Sequence, residues 1–448
     1  MTLNVAFLPA AVANGIQDGI LERRLLDALK PALLWRMNFT DPATGVSIRS
    51  MSRDRHEGRL GEAVTKSRRG LIPPGDETSA KIQPGQEPSK VRGSEEFFSY
   101  QLAPYGASTD THLVASHVAA WNKFVEEVEN LMFHGAQTLG RIARGRVFSA
   151  YGGSDTFATA AGSSATAVII KDATGFDTVL VNGKPTPVSA TYKRPIKIGG
   201  IGRNVTAVDL STNTLTIDTA HTWSQYDRVV ADDAPFIVRA GARATDRLIV
   251  GTDTAKISYW RDAKAFLQTH NVPGINGQVG PGAVYGAFVD AQIKNALYAD
   301  AEFYNAIQRN NALAQSWYTG ALGLYDNILF LDNQEMPVIA SGGDYQTDIH
   351  RSLVFGGDML VEAYIPDEDF SNEVTLGGVA RANHYKLALD QEGVLTLTVR
   401  APLDALARNV TSSWSATCDW AVPSDATALT GKQRFKRAVV VHTAGPPA

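Results

Sequence analysis

The stretch THLVASHVAAWNKFVEEVENLMFHGAQTLGRIARGRVFSAYGG, residues 111–153, is the most strongly patterned part of this 448-residue chain. Val114, Val118, Trp121, Val125, Val128, Met132, Leu139 and Ile142 recur in steps of three and four. That spacing puts apolar side chains on one face of an α-helix. Gly135 stands where a further apolar residue would fall. Asp110 or Thr111 can cap the start, a side-chain oxygen accepting from a free first-turn amide, and Gly152-Gly153 supplies a stop. About 35 residues at 1.5 Å each make a rod of roughly 50 Å, several times the common helix length of about 11 residues. The spacing also fits a coiled coil, but strand patterning surrounds this helix, so it is expected to brace a sheet.

Upstream, residues 14–37 form an amphipathic run with Ile16, Ile20, Leu21, Leu25, Leu26, Leu29, Leu33 and Leu34 at helical spacing and a break at Pro31. Two fates stay open for it: an arm that docks elsewhere, or a helix on the chain's own core. From Thr40 to Gly93 apolar residues become sparse, and Gly, Pro and charges accumulate, as in Ile72-Pro73-Pro74-Gly75-Asp76 and Gln83-Pro84-Gly85-Gln86-Glu87-Pro88. Such a segment buries too little apolar surface to fold as a compact unit. Phe98, Tyr100 and Leu102 then mark a returning strand. A long two-stranded excursion is marginal in isolation, so residues 40–111 are expected to gain order only against neighbouring copies; a surface loop is the plainer alternative. Arg49, Arg53, Arg55, Arg59, Lys66, Arg68 and Arg69, interleaved with Asp54, Glu57 and Glu62, are the candidate intersubunit residues. A solvated loop and phosphate contact by counterion release are the competing readings. The lack of interleaved aromatics argues against single-strand recognition.

Downstream, residues 165–240 read as about seven short strands between turn signals, among them Val179–Val181 before Asn182-Gly183 and Ile196–Ile198 before Gly199-Gly200. This pattern predicts a small β-barrel or sandwich inserted into the fold. Mixed α/β patterning resumes with a helix over Ile257–His270, stopped by Asn271-Val272-Pro273-Gly274, a buried strand Val284–Val289, a helix Gln292–Asn311 and a strand or hairpin over Leu329–Val338. The last hundred residues are strand-dominated: Met359–Ile365, His384–Leu389, Val394–Val399, Thr411–Trp420 and Arg437–His442, read as half-exposed antiparallel strands.

The composition (44% hydrophobic, 20% charged, net charge −4) is that of an ordinary globular protein and too balanced for a polybasic one. The single Cys418 excludes an internal disulfide and any Cys-rich metal site. No run approaches the roughly 18 apolar residues of a membrane span. Val5–Ala13 imitates a secretory leader, but no Lys or Arg precedes it and Pro9 interrupts it, so the chain reads as cytosolic. Phosphate-loop, zinc-helix and nucleophile-elbow motifs are absent. Gly199-Gly200-Ile201-Gly202 reads as a β-turn; His112 and His117, five apart on the helix, share no face; Asp232-Asp233 and Asp367-Glu368-Asp369 read as solvated turns. No catalytic residue, cofactor or metal site is expected.

This order of parts resembles the major capsid proteins of tailed bacteriophages, the Hong Kong 97 capsid fold, in its short-tailed-phage branch. Three runs carry the likeness locally: Ile257-Ser258-Tyr259-Trp260-Arg261-Asp262-Ala263-Lys264 with Asn271-Val272-Pro273, Leu329-Phe330-Leu331-Asp332-Asn333, and Val410–Val422 followed by Arg434-Phe435-Lys436-Arg437-Ala438. The resemblance implies an α+β fold with an N-terminal arm (1–39), an E-loop β-hairpin (40–111), a spine helix and the start of the P domain (112–164), an inserted β-barrel or sandwich (165–244), an A domain (245–350), and the remainder of the P domain (351–448). It implies a non-enzymatic shell protein that forms pentamers and hexamers around packaged double-stranded DNA, in the virion, after assembly in the host cytoplasm without a membrane. The partners implied are a separate scaffolding protein, since little chain precedes the arm, a portal protein and, optionally, a decoration protein. The insertion departs from the minimal fold, and no motif maps onto the Lys–Asn crosslinking chemistry of some relatives.

Overall fold

A computed structural model describes residues 38–40, 47–49, 51–55, 63–69, 71, 95–112, 120–181, 184–309, 321–365, 384–388, 395–400, 409–425 and 433–445. The arm proposed for 1–39 therefore lies outside the described residues except for Asn38–Thr40, which pairs with Ser47–Arg49. The acidic run 367–369 and His117 lie outside them too.

The patterned stretch forms helix α1, Ala120–Tyr151. Phe124, Val128, Met132, Ala136, Leu139, Ala143, Val147 and Tyr151 are buried along one stripe, and Gly152 ends the helix by donating its amide to the Phe148 carbonyl at 2.9 Å. The expected cap is corrected. Asp110 and Thr111 belong to a strand, Ala103–His112, that pairs antiparallel with Asn409–Ala421 over ten residues. The alternation of partly buried Tyr105, Ala107 and Thr109 with exposed neighbours is a strand period, which wins over the helical reading of the residues just after it. His112 is accordingly on a strand and shares no helix with His117.

Gly135 faces the Trp414 indole. A Cβ there would lie 2.9 Å from Trp414 Cδ2, so the glycine is what lets the helix close onto the strand.

Two sheets flank α1. The first runs Ile237–Arg239, Ala438–Ala444, Ile349–Phe355, Tyr285–Val289, Ile328–Asp332 and Ala321–Tyr325, with Val338–Ile339 added to Ile349–Phe355. Its period of two divides its side chains between two cores. Phe288, Leu353, Phe355 and Val440 face α1, whereas Ala287, Val289, Val354, Val439 and Val441 face helices α2 (Ile257–Thr269), α3 (Ala291–Ala299) and α4 (Ala301–Arg309). The closing strand, expected to be half-exposed, is buried at every position from Ala438 to Ala444. It lies inside the sheet with both faces covered, the setting in which a continuous Val run is the appropriate pattern. The single helix expected over Gln292–Asn311 is two helices broken at Asp300. That carboxylate accepts from the Glu302 amide at 3.1 Å and from the Ile257 amide at 2.8 Å, capping one helix while holding the start of another.

The second sheet runs His384–Ala388, Leu395–Arg400, Asn409–Ala421, Leu360–Tyr364 and Met51–Arg55, with Ala103–His112 also on Asn409–Ala421. Here Asn409–Ala421 does alternate between buried and half-buried positions over most of its length.

Between α1 and Ile237–Arg239 in sequence, residues 155–231 form a separate six-stranded sheet: Asp155–Phe157, Arg228–Ala231, Arg194–Ile198, Ile201–Asp209, Thr214–Trp223 and Gly162–Ile169 in spatial order. Its two outer strands meet. Ala158 bridges Ile170, the Thr159 amide donates to the Ile169 carbonyl at 2.9 Å, and the Lys171 amide donates to Phe157 at 3.0 Å, so the sheet closes into a barrel. Val168, Ile170, Phe176, Ile196, Ile198, Val205, Leu215, Ile217, Trp223 and Val229 fill it. Gly199 and Gly200, at φ +56° and +89°, form the tight turn expected of them. The barrel begins about ten residues before the expected 165, because Asp155–Phe157 supplies the closing seam. It ends before 244, because Ile237–Arg239 pairs in parallel with Ala438–Ala444 of the first sheet, Ile237 opposite Val440. Residues 154–234 expressed alone are expected to unfold in one cooperative thermal transition followed by circular dichroism. A fragment starting at 165 lacks the seam and is expected to give no transition; folding of both alike would refute the closure argument.

Candidate assembly surface

Ala63–Arg69 and Glu95–Gln101 form an antiparallel ribbon in which Ala63 pairs with Gln101 and Arg69 with Glu95. The strand period gives it two faces. Ala63, Thr65, Ser67, Ser99 and Gln101 are exposed, a neutral hydroxyl and amide surface on which Thr65 and Ser99 hydrogen-bond at 3.0 Å. The opposite face meets the subunit. Phe98, Tyr100 and Leu102 pack with Val361, Ala363, Ile365 and Ala421.

This corrects the expectation that residues 40–111 gain order only on neighbouring copies. Met51–Arg55 pairs in parallel with Leu360–Tyr364, Met51 is fully buried in the main core, and Ala103–His112 is an integral strand of the second sheet. Alternating aromatics at 98, 100 and 102 supply enough apolar surface to anchor the root on the chain's own sheet. The sparse composition that suggested dependence on neighbours belongs to 72–94, which lie outside the described residues.

A buried ion cluster sits under the end of the ribbon that leads into residues 72–94. Arg68 Nη2 donates to Asp425 Oδ1 at 2.7 Å, its Nη1 to the Asp358 carbonyl at 2.8 Å, and its Nε lies 3.4 Å from Glu96 Oε2. Arg437 Nε donates to the same Asp425 oxygen at 3.0 Å, and the Lys436 amide donates to Oδ2 at 3.1 Å. Burial opposes the Asp425 charge, but Arg437 and Arg68 outweigh it and hold the carboxyl below its ordinary range. Closer to the edge, Asp54 accepts from Lys66 Nζ and from the Tyr100 hydroxyl.

Of the seven basic candidates, Lys66 and Arg68 are thus engaged within the subunit. Arg53 stands opposite Glu362 in register, Arg69 opposite Glu95, Arg49 opposite Asn38, and Arg55 is exposed. Arg59 lies outside the described residues. The residues that sequence reasoning missed are the acids: Asp425 and Glu96. Arg434–Arg437 was visible as a basic run before a Val-rich strand, but nothing near Asp425 marks it as that run's counterion.

Two further clusters fasten the barrel. Asp155 accepts from Arg228 Nη2 at 2.6 Å and from Arg239 Nη1 at 2.8 Å, and Arg239 with His442 engages Asp246. Asp233, expected in a solvated turn, instead accepts from Arg194 at 2.8 Å and lies 3.5 Å from Arg434, whose Nη1 also reaches the Thr178 carbonyl. The arginines that engage Asp233 are distant in sequence, so no local signal marks the cluster. Among the described residues no group of three or more His, Cys, Asp or Glu is placed to hold a metal ion, and no helix is long and apolar enough to cross a membrane.

No protein-family model matches the chain, and no curated protein matches it. Among solved structures it is similar to the capsid of Ralstonia phage GP4, at 13% identity and a TM-score of 0.46, with 92% of this chain and 95% of that chain covered. It is similar to the Cyanophage Pam1 capsid at 11% identity and a TM-score of 0.47, covering 89% and 90%. It is also similar to an encapsulin complex of Synechococcus elongatus at 9% identity and a TM-score of 0.36, covering 89% and 86%.

Proposed function

We propose that this chain is the structural subunit of a phage capsid shell of the Hong Kong 97 type, assembling as pentamers and hexamers around double-stranded DNA. The observation that carries the reading is the ribbon. Among the described residues its strands pair only with each other, its face with Ala63, Thr65, Ser67, Ser99 and Gln101 is exposed, and the sequence runs on from it into residues 72–94, which are poor in apolar residues. One face of the ribbon already lies on its own subunit; in this reading a neighbouring subunit covers the other, exposed face. Obligate assemblies commonly bury 2,000 Å² or more per interface, and head-to-tail contacts that close by rotation make rings. The long helix between two sheets gives the subunit a stiff body to tile. A net charge of −4 suits a wall that touches packaged DNA without gripping it. The basic residues carried into this reading as candidate intersubunit contacts are Arg49, Arg53, Arg55, Arg59, Lys66, Arg68 and Arg69. A scaffolding protein, a portal and, optionally, a decoration protein complete the particle.

Negative-stain microscopy of the purified chain, co-expressed with its scaffold where needed, tests this. Closed shells with five-fold and six-fold units are expected, with DNA inside particles made in the host. Shells filled with protein cargo would move the reading to a cellular compartment, and a persistent monomer would remove it.

A further inference from the structure

The outer face of α1 is complementary to itself when reversed. Helical spacing brings Glu126, Asn130, Phe133, His134, Gln137 and Arg141 onto one stripe, in steps of four, three, one, three and four. All are exposed except Gln137, which is half-buried, while the opposite stripe fills the core. Phe133, 41% exposed, is the one large apolar side chain described on α1 that is left to solvent, and it sits at the middle of this polar face. The steps are palindromic about the point between 133 and 134. Laid antiparallel on a copy of itself about that point, the stripe sets Glu126 opposite Arg141, Asn130 opposite Gln137 and Phe133 opposite His134. Arg141 Nη2 also donates to Glu335 Oε1 of its own chain at 3.1 Å, but with Arg141 60% and Glu335 27% exposed this is a surface pair of small worth.

We propose that this face of α1 docks antiparallel on α1 of a second copy across a two-fold axis. The contact is isologous: Glu126 meets the partner's Arg141, and Arg141 meets the partner's Glu126. The aromatic rings at 133 and 134 are covered at the centre, between the two charge pairs. The palindrome is what selects a copy as occupant, since a foreign helix needs to match the stripe but the stripe need not then match itself. Charge also fixes the direction, because a parallel pair sets Glu126 against Glu126 and Arg141 against Arg141. The inference rests on the shell reading for its place in the assembly: head-to-tail contacts close rings, and a two-fold contact joins one ring to the next.

Crosslinking of the full-length chain tests the register, the native thiol of Cys418 being buried. Phe133→Cys is expected to give covalent dimers on mild oxidation, with His134→Cys as its substitute where that variant does not assemble. Glu126→Cys is expected to give none, because the two copies of 126 stand about 22 Å apart along the antiparallel pair, beyond the reach of a disulfide. Arg141→Glu and Glu126→Arg singly oppose like charges and are each expected to lower shell yield at least about tenfold. The double swap is expected to restore it, whereas a loss acting through Glu335 would persist in the swap. Shells that crosslink at neither 133 nor 134 overturn the pairing and leave the shell reading standing. So do single charge variants with full yield, or a swap that keeps the parent's denaturation midpoint and recovers nothing. Covalent dimers from a chain that builds no shells would keep the pairing and overturn the shell reading.

Discussion

Replacing Asp425 with alanine is expected to cost the folded chain about 3–5 kcal/mol, because it removes the carboxylate that two buried guanidinium groups share. Arg437 is 6% and Arg68 15% exposed, and both direct a nitrogen at the same Asp425 oxygen. Glu96 Oε2, 3.4 Å from Arg68 Nε, is a longer contact than the one lost, and Arg437 Nε is paired with Asp425. The loss should be read as a shifted midpoint in chemical denaturation followed by tryptophan fluorescence, Trp414 and Trp420 both belonging to the core around α1. Replacing Arg68 and Arg437 by methionine in the same chain is expected to recover part of the loss, since a buried ion pair exchanged whole for apolar groups is often neutral. A loss under about 1 kcal/mol for Asp425→Ala would place the cluster among exposed pairs, whose worth is of that size.

The cluster also shows where the sequence could be read and where it could not. Elements announced by period were legible: α1 through its steps of three and four, Tyr285–Val289 and Asn409–Ala421 through apolar runs and alternation, the Gly199-Gly200 turn through its glycines. Errors fell where two periods meet or where a polar side chain sets the boundary. Asp110 and Thr111 were assigned to the wrong side of the strand-to-helix change. The break at Asp300 depends on a carboxylate that also accepts from the Ile257 amide, 43 residues away in sequence. Barrel closure depends on Ala158 meeting Ile170, a pairing no local pattern encodes. The ion clusters are the extreme case. Arg68 and Asp425 are 357 positions apart, and a charged residue in a sparse segment looks the same whether its partner is water, a neighbour or its own core. The seven basic candidates share a sparse segment and interleaved acids, and neither feature says where the counterion is.

Replacing residues 74–92 by a short Gly-Ser linker is expected to leave the subunit folded and to abolish closed shells. The boundaries follow from the anchoring of the root. Deleting from 45 would remove Met51, which is fully buried, and the strand that pairs with Leu360–Tyr364. Stopping short of 71 keeps Leu71, which packs with Trp260 and Val238 in the core beneath α2. What is removed is a stretch of Gly, Pro and charge with few apolar residues, so its absence should cost the isolated subunit little. The midpoint of denaturation is therefore expected to stay within about 0.5 kcal/mol of the parent, the range of ordinary surface changes. Shell yield, counted by microscopy after the same scaffold-assisted preparation, is expected to fall by at least about tenfold, which needs the loss of only about 1.4 kcal/mol per contact. A lowered denaturation midpoint would mean that 74–92 pack on their own subunit. Normal particles from a stable variant would mean that the ribbon's continuation makes no contact the assembly needs, and the container reading would lose its main support.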